Sequence, residues 1–220
     1  MKAGLSAHHQ RLAQSKREAI TAAATRLFLE RGYDGTSLAK IAQEAVVSKS
    51  TLFKQFPTKA ALFEAIVTEY WNGGPDLASP TVPPGDLSAG LSAIGRRYAD
   101  LIGRPEMAAL FRIVVAELPR FPELGRAQFE LGKLPYFISV QRYLEAEHNA
   151  GTAVVLDAQS ATNQFLGMIA NYVLWPRMLL ADWNPSPADV RHAVEEAVTT
   201  MLARYDRSSV GGQPAGEDPA

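Results

Sequence analysis

The stretch from Thr36 to Lys59, TSLAKIAQEAVVSKSTLFKQFPTK, reads as two short helices joined by a tight turn. Thr36 and Ser37 are good N-cap residues, and Leu38, Ile41, Ala42 and Ala45 lay one apolar stripe along the first helix. Ser48 can cap the second helix. Its Leu52 and Phe56 point inward at i, i+4, while Lys49, Ser50, Thr51, Lys54 and Gln55 are left outside. Pro57 stops this helix, because proline has no N–H to continue the ladder. Isolated helices shorter than ~12 residues are marginal in water, so neighbouring elements have to hold this one. Its outward hydroxyls, amide and lysines can hydrogen-bond base edges and phosphates in a major groove. A merely solvated face is the plainer alternative for any one of them.

Working outward, Ile20, Ala23, Ala24, Leu27 and Phe28 recur at helical spacing between Lys16 and Arg31, and Gly32 is placed to close that helix with Tyr33 packing back on it. Downstream, Thr58 caps a further helix from Lys59 to about residue 71 on Leu62, Phe63, Ile66 and Tyr70. These readings give a head at residues 16–60, a connecting helix at 61–71, and before them a flexible basic arm at 1–15. Lys2, His8, His9 and Arg11 of the arm could reach a minor groove or nearby phosphates. His8 and His9 are adjacent with no other ligand close in sequence, which speaks against a metal site, and none is expected.

Residues 72–85, NGGPDLASPTVPPG, read as a linker, and helical patterns follow at 86–103, 105–118, 122–148, 157–181 and 187–205. TAVVL at 152–156 is too short and isolated to start a sheet. The fold class is therefore all-α, with a larger helical domain at 86–206 and a disordered tail at 207–220. The 157–181 segment is apolar over a wide arc and the last helix offers a clean seam. Phe165, Ile169, Val173, Val194, Val198 and Met201 are accordingly expected at a dimer interface. Tyr98, Met107, Phe111, Phe129, Phe137, Met168, Tyr172 and Trp175 are candidates to line an effector pocket, with plain core as the alternative for each. Arg112, Asn163, Asn171 and Arg177 need partners if buried. For the arginines an internal carboxylate, a ligand carboxylate and simple exposure all stay open.

The 220 residues carry a net charge of −1 that hides a division. Residues 1–60 hold ten basic and four acidic side chains, a balance of +6, against twelve and nineteen, −7, in the remainder. A basic head on an acidic body points to a polyanion partner for the head. Without cysteine there is no disulfide, thiolate metal site or thiol nucleophile. No Gly-rich phosphate loop, HExxH or GxSxG occurs, and His148 and His192 are single surface-like histidines, so no enzyme and no cofactor is indicated. The N-terminus has no signal-peptide h-region, and no window of ~18 apolar residues follows, so no membrane partner and a cytoplasmic location are expected.

The runs AxxLFxERGYDGTSLxxIAxEA, from Ala24, and VSKSTLFKQFPTKAAL, from Val47, resemble the DNA-binding domain of TetR-family transcriptional regulators. MAALFRIVVAELPRFPELGRAQFELG at 107–132 is similar to the C-terminal domain of the AefR-like branch. The resemblance implies a helix-turn-helix domain followed by a larger helical domain for effector binding and dimerisation. It further implies a homodimer on a near-palindromic double-stranded DNA operator, most simply a repressor released by an unidentified small-molecule effector. Effector-independent or activating regulation is the alternative, and an enzyme with an appended DNA-binding domain is a weaker one. Carried over by position, Lys49, Ser50, Thr51 and Gln55 would read base edges, with Lys54 open between base and phosphate. Thr36, Ser37 and Lys59 would clamp phosphates, and Ser48 and Phe53 complete the DNA-facing set. Two positions depart from the family pattern. Val46 stands where the turn usually has glycine, and a β-branched residue resists positive φ. Phe53 stands where tyrosine is common and lacks the hydroxyl that would bond a phosphate.

Overall fold

The computed structural model describes residues 2–72, 82–180 and 182–207, and for residues 2–9 the backbone alone. Residues 73–81 of the expected linker and 208–220 of the expected tail lie outside the described residues. The described elements are helical, apart from an isolated antiparallel bridge between Ala153 and Asp206. The chain forms two compact units, one of Met1–Trp71 with Ala109–Lys133 and the other of Asn72–Ala108 with Leu134–Ala220.

In the first unit α1 spans Lys2–Arg31. The segment expected as a flexible arm is therefore a continuation of this helix. Between Met1 and Lys16 the chain has one glycine and no proline, and its leucines, alanines, glutamine and basic residues all tolerate helix. Ile20, Ala23, Ala24, Leu27 and Phe28 are buried on one face, and Gly32 closes the helix at φ 74° with its N–H on the Phe28 carbonyl at 3.0 Å. Helices α2 (Leu38–Glu44), α3 (Lys49–Gln55) and α4 (Lys59–Asn72) follow. Phe28, Tyr33, Phe63 and Phe121 form an aromatic cluster, with ring centroids 5.3 Å apart for Phe28–Tyr33 and 5.0 Å for Tyr33–Phe121. Phe121 lies after α6 (Pro105–Glu117), so a distant stretch of chain completes the core of the head.

The single helix expected over 122–148 is three segments: α7 (Pro122–Arg126), a π-helical stretch (Ala127–Lys133) and α8 (Leu134–Ala150). Gly125 and Gly132 weaken the α-helical run, and Pro135 cannot donate to it. Gly132 is needed where it stands, because a Cβ there would lie 2.4 Å from the Trp71 indole.

The second unit packs α5 (Leu87–Ile102), α8, α9 (Ala158–Val173), the short α10 (Trp175–Leu179) and α11 (Pro187–Tyr205). Side-chain caps define the starts of α5, α9 and α11: Asp86 accepts from Ala89 N–H, Asp157 from Ser160 N–H, and Ser186 with Asp189 forms a reciprocal capping box. Glu147 is fully buried yet satisfied, accepting from the Tyr143 hydroxyl at 2.6 Å, from Gly85 N–H at 3.2 Å and from the Thr152 hydroxyl. Helices α5, α9 and α11 meet at Gly95, where a Cβ would stand 2.8 Å from Val194, 3.1 Å from Phe165 and 3.3 Å from Ile169.

That packing corrects the dimer expectation at the residue level. Phe165, Ile169, Val173, Val194, Val198 and Met201 are all buried inside this unit and are not available to a second subunit. The wide apolar arc of α9 is covered by α5, α8 and α11 of its own chain.

Candidate nucleic-acid interface

Ser37 caps α2, its hydroxyl accepting from Lys40 N–H at 3.2 Å, while Ile41 and Ala42 are buried. The turn after α2 carries two bonds, from Val46 N–H to Gln43 O at 3.2 Å and from Val47 N–H to Ala42 O at 3.0 Å. This is the paired-bond helix stop that ordinarily has glycine at its left-handed position. Val46 occupies that position at φ 53° with 90% of its surface exposed. The turn thus keeps its shape and the valine takes the strain.

Ser48 opens α3, accepting from Thr51 N–H at 3.1 Å. Its oxygen is also 2.9 Å from the Ser50 hydroxyl and 2.8 Å from the Thr51 hydroxyl, so three hydroxyls gather at the start of the helix. Leu52 and Phe56 are buried beneath, and the Arg17 guanidinium sits 4.5 Å over the Phe56 ring. Lys49, Ser50, Phe53 and Lys54 are exposed on the outer face, which satisfies the geometric requirement for a groove-entering helix. Phe53 offers a half-exposed ring without a donor. Gln55 is directed differently: its amide donates to the Ala13 carbonyl of α1 at 3.0 Å.

Thr36 and Lys59, expected as phosphate clamps, are committed to the protein instead. Thr36 is 2% exposed, and its hydroxyl is 3.1 Å from Leu27 O and 2.9 Å from Gly32 O. Lys59 Nζ donates to Tyr33 O at 2.7 Å and Thr36 O at 3.0 Å, with Asp34 O at 3.4 Å, and it lies 4.4 Å over the Tyr33 ring. Burial lowers the Lys59 pKa, with Asp34 and Glu117 pulling the other way. The Tyr33 phenol is pushed up to about 12, first by burial and then by Glu123, Glu64 and Glu117. The loop between α1 and α2 is held from further along the chain too: Asp34 N–H donates to Glu117 Oε1 at 3.1 Å, and Arg120 pairs with the Asp34 carboxylate at 2.9 Å. These bracing residues escaped sequence reasoning because they lie some eighty positions from the motif.

Of the eight residues named for an effector pocket, Tyr98 and Phe137 meet edge to face with ring centroids 6.2 Å apart. Phe111 and Phe129 belong to the first unit and the other six to the second. Tyr98 stacks on Tyr136 at 5.3 Å, and burial raises the pKa of both phenols. Met107 is fully buried, whereas Phe129 and Trp175 are more than half exposed, and Tyr172 packs edge-on against Trp183. The second unit does contain a cavity of about 500 Å³, and none of the eight lines it. Among the described residues no group of three or more His, Asp or Glu could hold a metal ion, and no helix is long and apolar enough to cross a membrane.

Two family models match the chain. One, described as bacterial regulatory proteins of the tetR family, covers residues 20–66, and the other, the C-terminal domain of AefR-like transcriptional repressors, covers 89–207, more than half of the chain. The chain belongs to the TetR family. It is accordingly a DNA-binding transcriptional regulator with a helix-turn-helix head and a larger C-terminal helical domain. Among relatives of this TetR-family regulator, the uncharacterized HTH-type transcriptional regulator Rv1556 of Mycobacterium tuberculosis is 33% identical over 190 residues, 84% of this chain and 87% of its own. The solved flavonoid-responsive regulator FrrA is 28% identical with a TM-score of 0.72, covering 87% of this chain and 97% of that one. A TetR-family transcriptional regulator from Pseudomonas syringae pv. tomato is 25% identical with a TM-score of 0.69, over 87% and 97% of the two chains.

Proposed function

We propose that this TetR-family regulator is a repressor that binds a near-palindromic operator as a homodimer and is released by a small-molecule effector. The observation that carries the DNA part is the outer face of α3, where Lys49, Ser50 and Thr51 stand free of the core that Leu52 and Phe56 anchor. In this reading Lys49, Ser50 and Thr51 meet base edges, Ser37 and Lys54 meet phosphates, and Phe53 packs against sugar or a thymine methyl. Ser48 orders the hydroxyls from the cap position, and Gln55 fixes α3 against α1. The AefR-like repressor match over the C-terminal domain supports repression, and the flavonoid-responsive neighbour supports control by a small molecule. An effector that binds the operator-incompetent state more tightly weakens DNA binding by that difference in affinity.

Since the inner faces of α9 and α11 are spent on the monomer's core, dimerisation in this proposal uses their outer faces. Asn163, Gly167 and Asn171 are exposed on α9 at helical spacing, and a Cβ on Gly167 would meet nothing within 4 Å. Sedimentation of the protein at micromolar concentration is expected to give a dimer, and Gly167→Trp to give a monomer with the same melting behaviour. A dimeric Gly167→Trp would sink the face assignment, and a monomeric native chain would sink the dimer itself. Selection of bound fragments from random DNA tests the operator, with two inverted half-sites as the expected yield. A single unpaired half-site would contradict the proposal.

A further inference from the structure

We propose that the cavity at the meeting of α5, α9 and α11 binds a small organic oxyanion, a carboxylate or phosphate carried on a compact apolar body. The inference deepens the effector reading above and rests on it for its regulatory meaning. Arg96 and Arg104 from the α5 end, Arg177 from α10 and Arg191 from α11 all line this cavity, with Asp100 as the one acid among its lining residues. Two of the four, Arg96 and Arg191, are exposed at the cavity. The clustering is unexpected by composition: residues 61–220 hold twelve basic side chains against nineteen acidic, and four of those twelve line one cavity. A guanidinium has donors and no acceptor, and its planar fork matches carboxylate and phosphate oxygens in pairs. The arrangement therefore selects for ligand charge.

The rest of the wall selects for ligand body. Ala99, Val173, Val190 and Val194 give it aliphatic surface, and Pro105, Pro185 and Pro187 stiffen its rim. At about 500 Å³ the cavity falls in the range of roughly 300–1,000 Å³ typical of small-molecule sites. Arg177 is half-buried with its Nε out of solvent, so its guanidinium is held against the protein, whereas Arg96 and Arg191 stay exposed and can close over an entering anion.

The test is calorimetry and thermal shift on the full chain with octanoate and phenyl phosphate as anionic probes, octanol and phenol as their neutral counterparts, and inorganic phosphate alone. The expected result is saturable binding of at least one anionic probe, with its neutral counterpart and inorganic phosphate at least tenfold weaker. Which anion binds separates carboxylate from phosphate. Arg191→Gln, at an exposed position, and Arg177→Gln should each weaken binding about tenfold while melting temperature without ligand stays near that of the native chain for Arg191→Gln. Equal binding to Arg191→Gln and to a double Arg96→Gln, Arg191→Gln variant would overturn the assignment, as would tighter binding of the neutral probes or no anion binding at millimolar concentration. Arginine-dependent binding that leaves operator affinity unchanged would uphold this site and remove the effector reading. Operator release by a neutral ligand alone would uphold that reading and overturn this site.

Discussion

Val46 holds the left-handed backbone of its turn at the expense of a side chain that resists it. Such a conformation costs an L-residue about 1–2 kcal/mol, and a glycine there gives back about 0.5–1 kcal/mol in chain entropy. Val46→Gly is therefore expected to stabilise the protein by up to about 1 kcal/mol in urea unfolding, and a loss of stability would show that the valine contributes contacts outweighing the strain. At Lys59 sequence and structure part company. A lysine at a helix start beside a DNA-reading motif reads as a phosphate clamp, and only folding brings three carbonyls within reach of its amine. Hydrogen bonds from a charged donor contribute about 1.5–3 kcal/mol, so Lys59→Ala should cost stability on that scale. The salt dependence of DNA binding should stay unchanged, in contrast with the drop of about one unit that a lost phosphate contact produces.

For single elements, the reading helix was the most legible part of the chain. Its cap, its two inward residues and its proline stop are all local signals, and the burial of Leu52 and Phe56 follows from them. Lys49→Ala is expected to weaken specific binding by about 1–3 kcal/mol if its base contact is good. Lys54→Ala is expected to lower the salt slope by about one unit, and an unchanged slope would move Lys54 away from phosphate. Gln55 looked like a further reader because periodicity places it outward, but periodicity cannot register that α1 continues back to Lys2 and offers it a carbonyl. The capping box of α11 makes a pH statement. Hydrogen bonds from Ser186 hold the Asp189 carboxyl below its usual range, so its contribution is present above the unfolded value of about 3.9 and is lost as pH falls through the lower folded value. Thermal melts should show Asp189→Asn less stable than the native chain near neutrality, with the gap closing below about pH 4. A gap constant down to pH 2 would assign the loss to packing.

On the scale of the whole molecule, helical periodicity made the fold class readable, but it could not say which chain covers an apolar face. Phe165, Ile169, Val173, Val194, Val198 and Met201 carried a sound hydrophobic signal, and its destination was their own unit. The residues around the cavity were nearly silent for the opposite reason: Arg96, Arg104, Arg177 and Arg191 are scattered over about a hundred positions, and proximity in space has no local signature. The same long-range condition governs heredity at the meeting point of α5, α9 and α11. Because a Cβ at position 95 would stand less than 3.4 Å from Val194, Phe165 and Ile169, a methyl gained there demands a smaller neighbour on another helix. These four positions should therefore pass through descent as a linked set, with an alanine at 95 appearing in lineages that have already trimmed one of the other three.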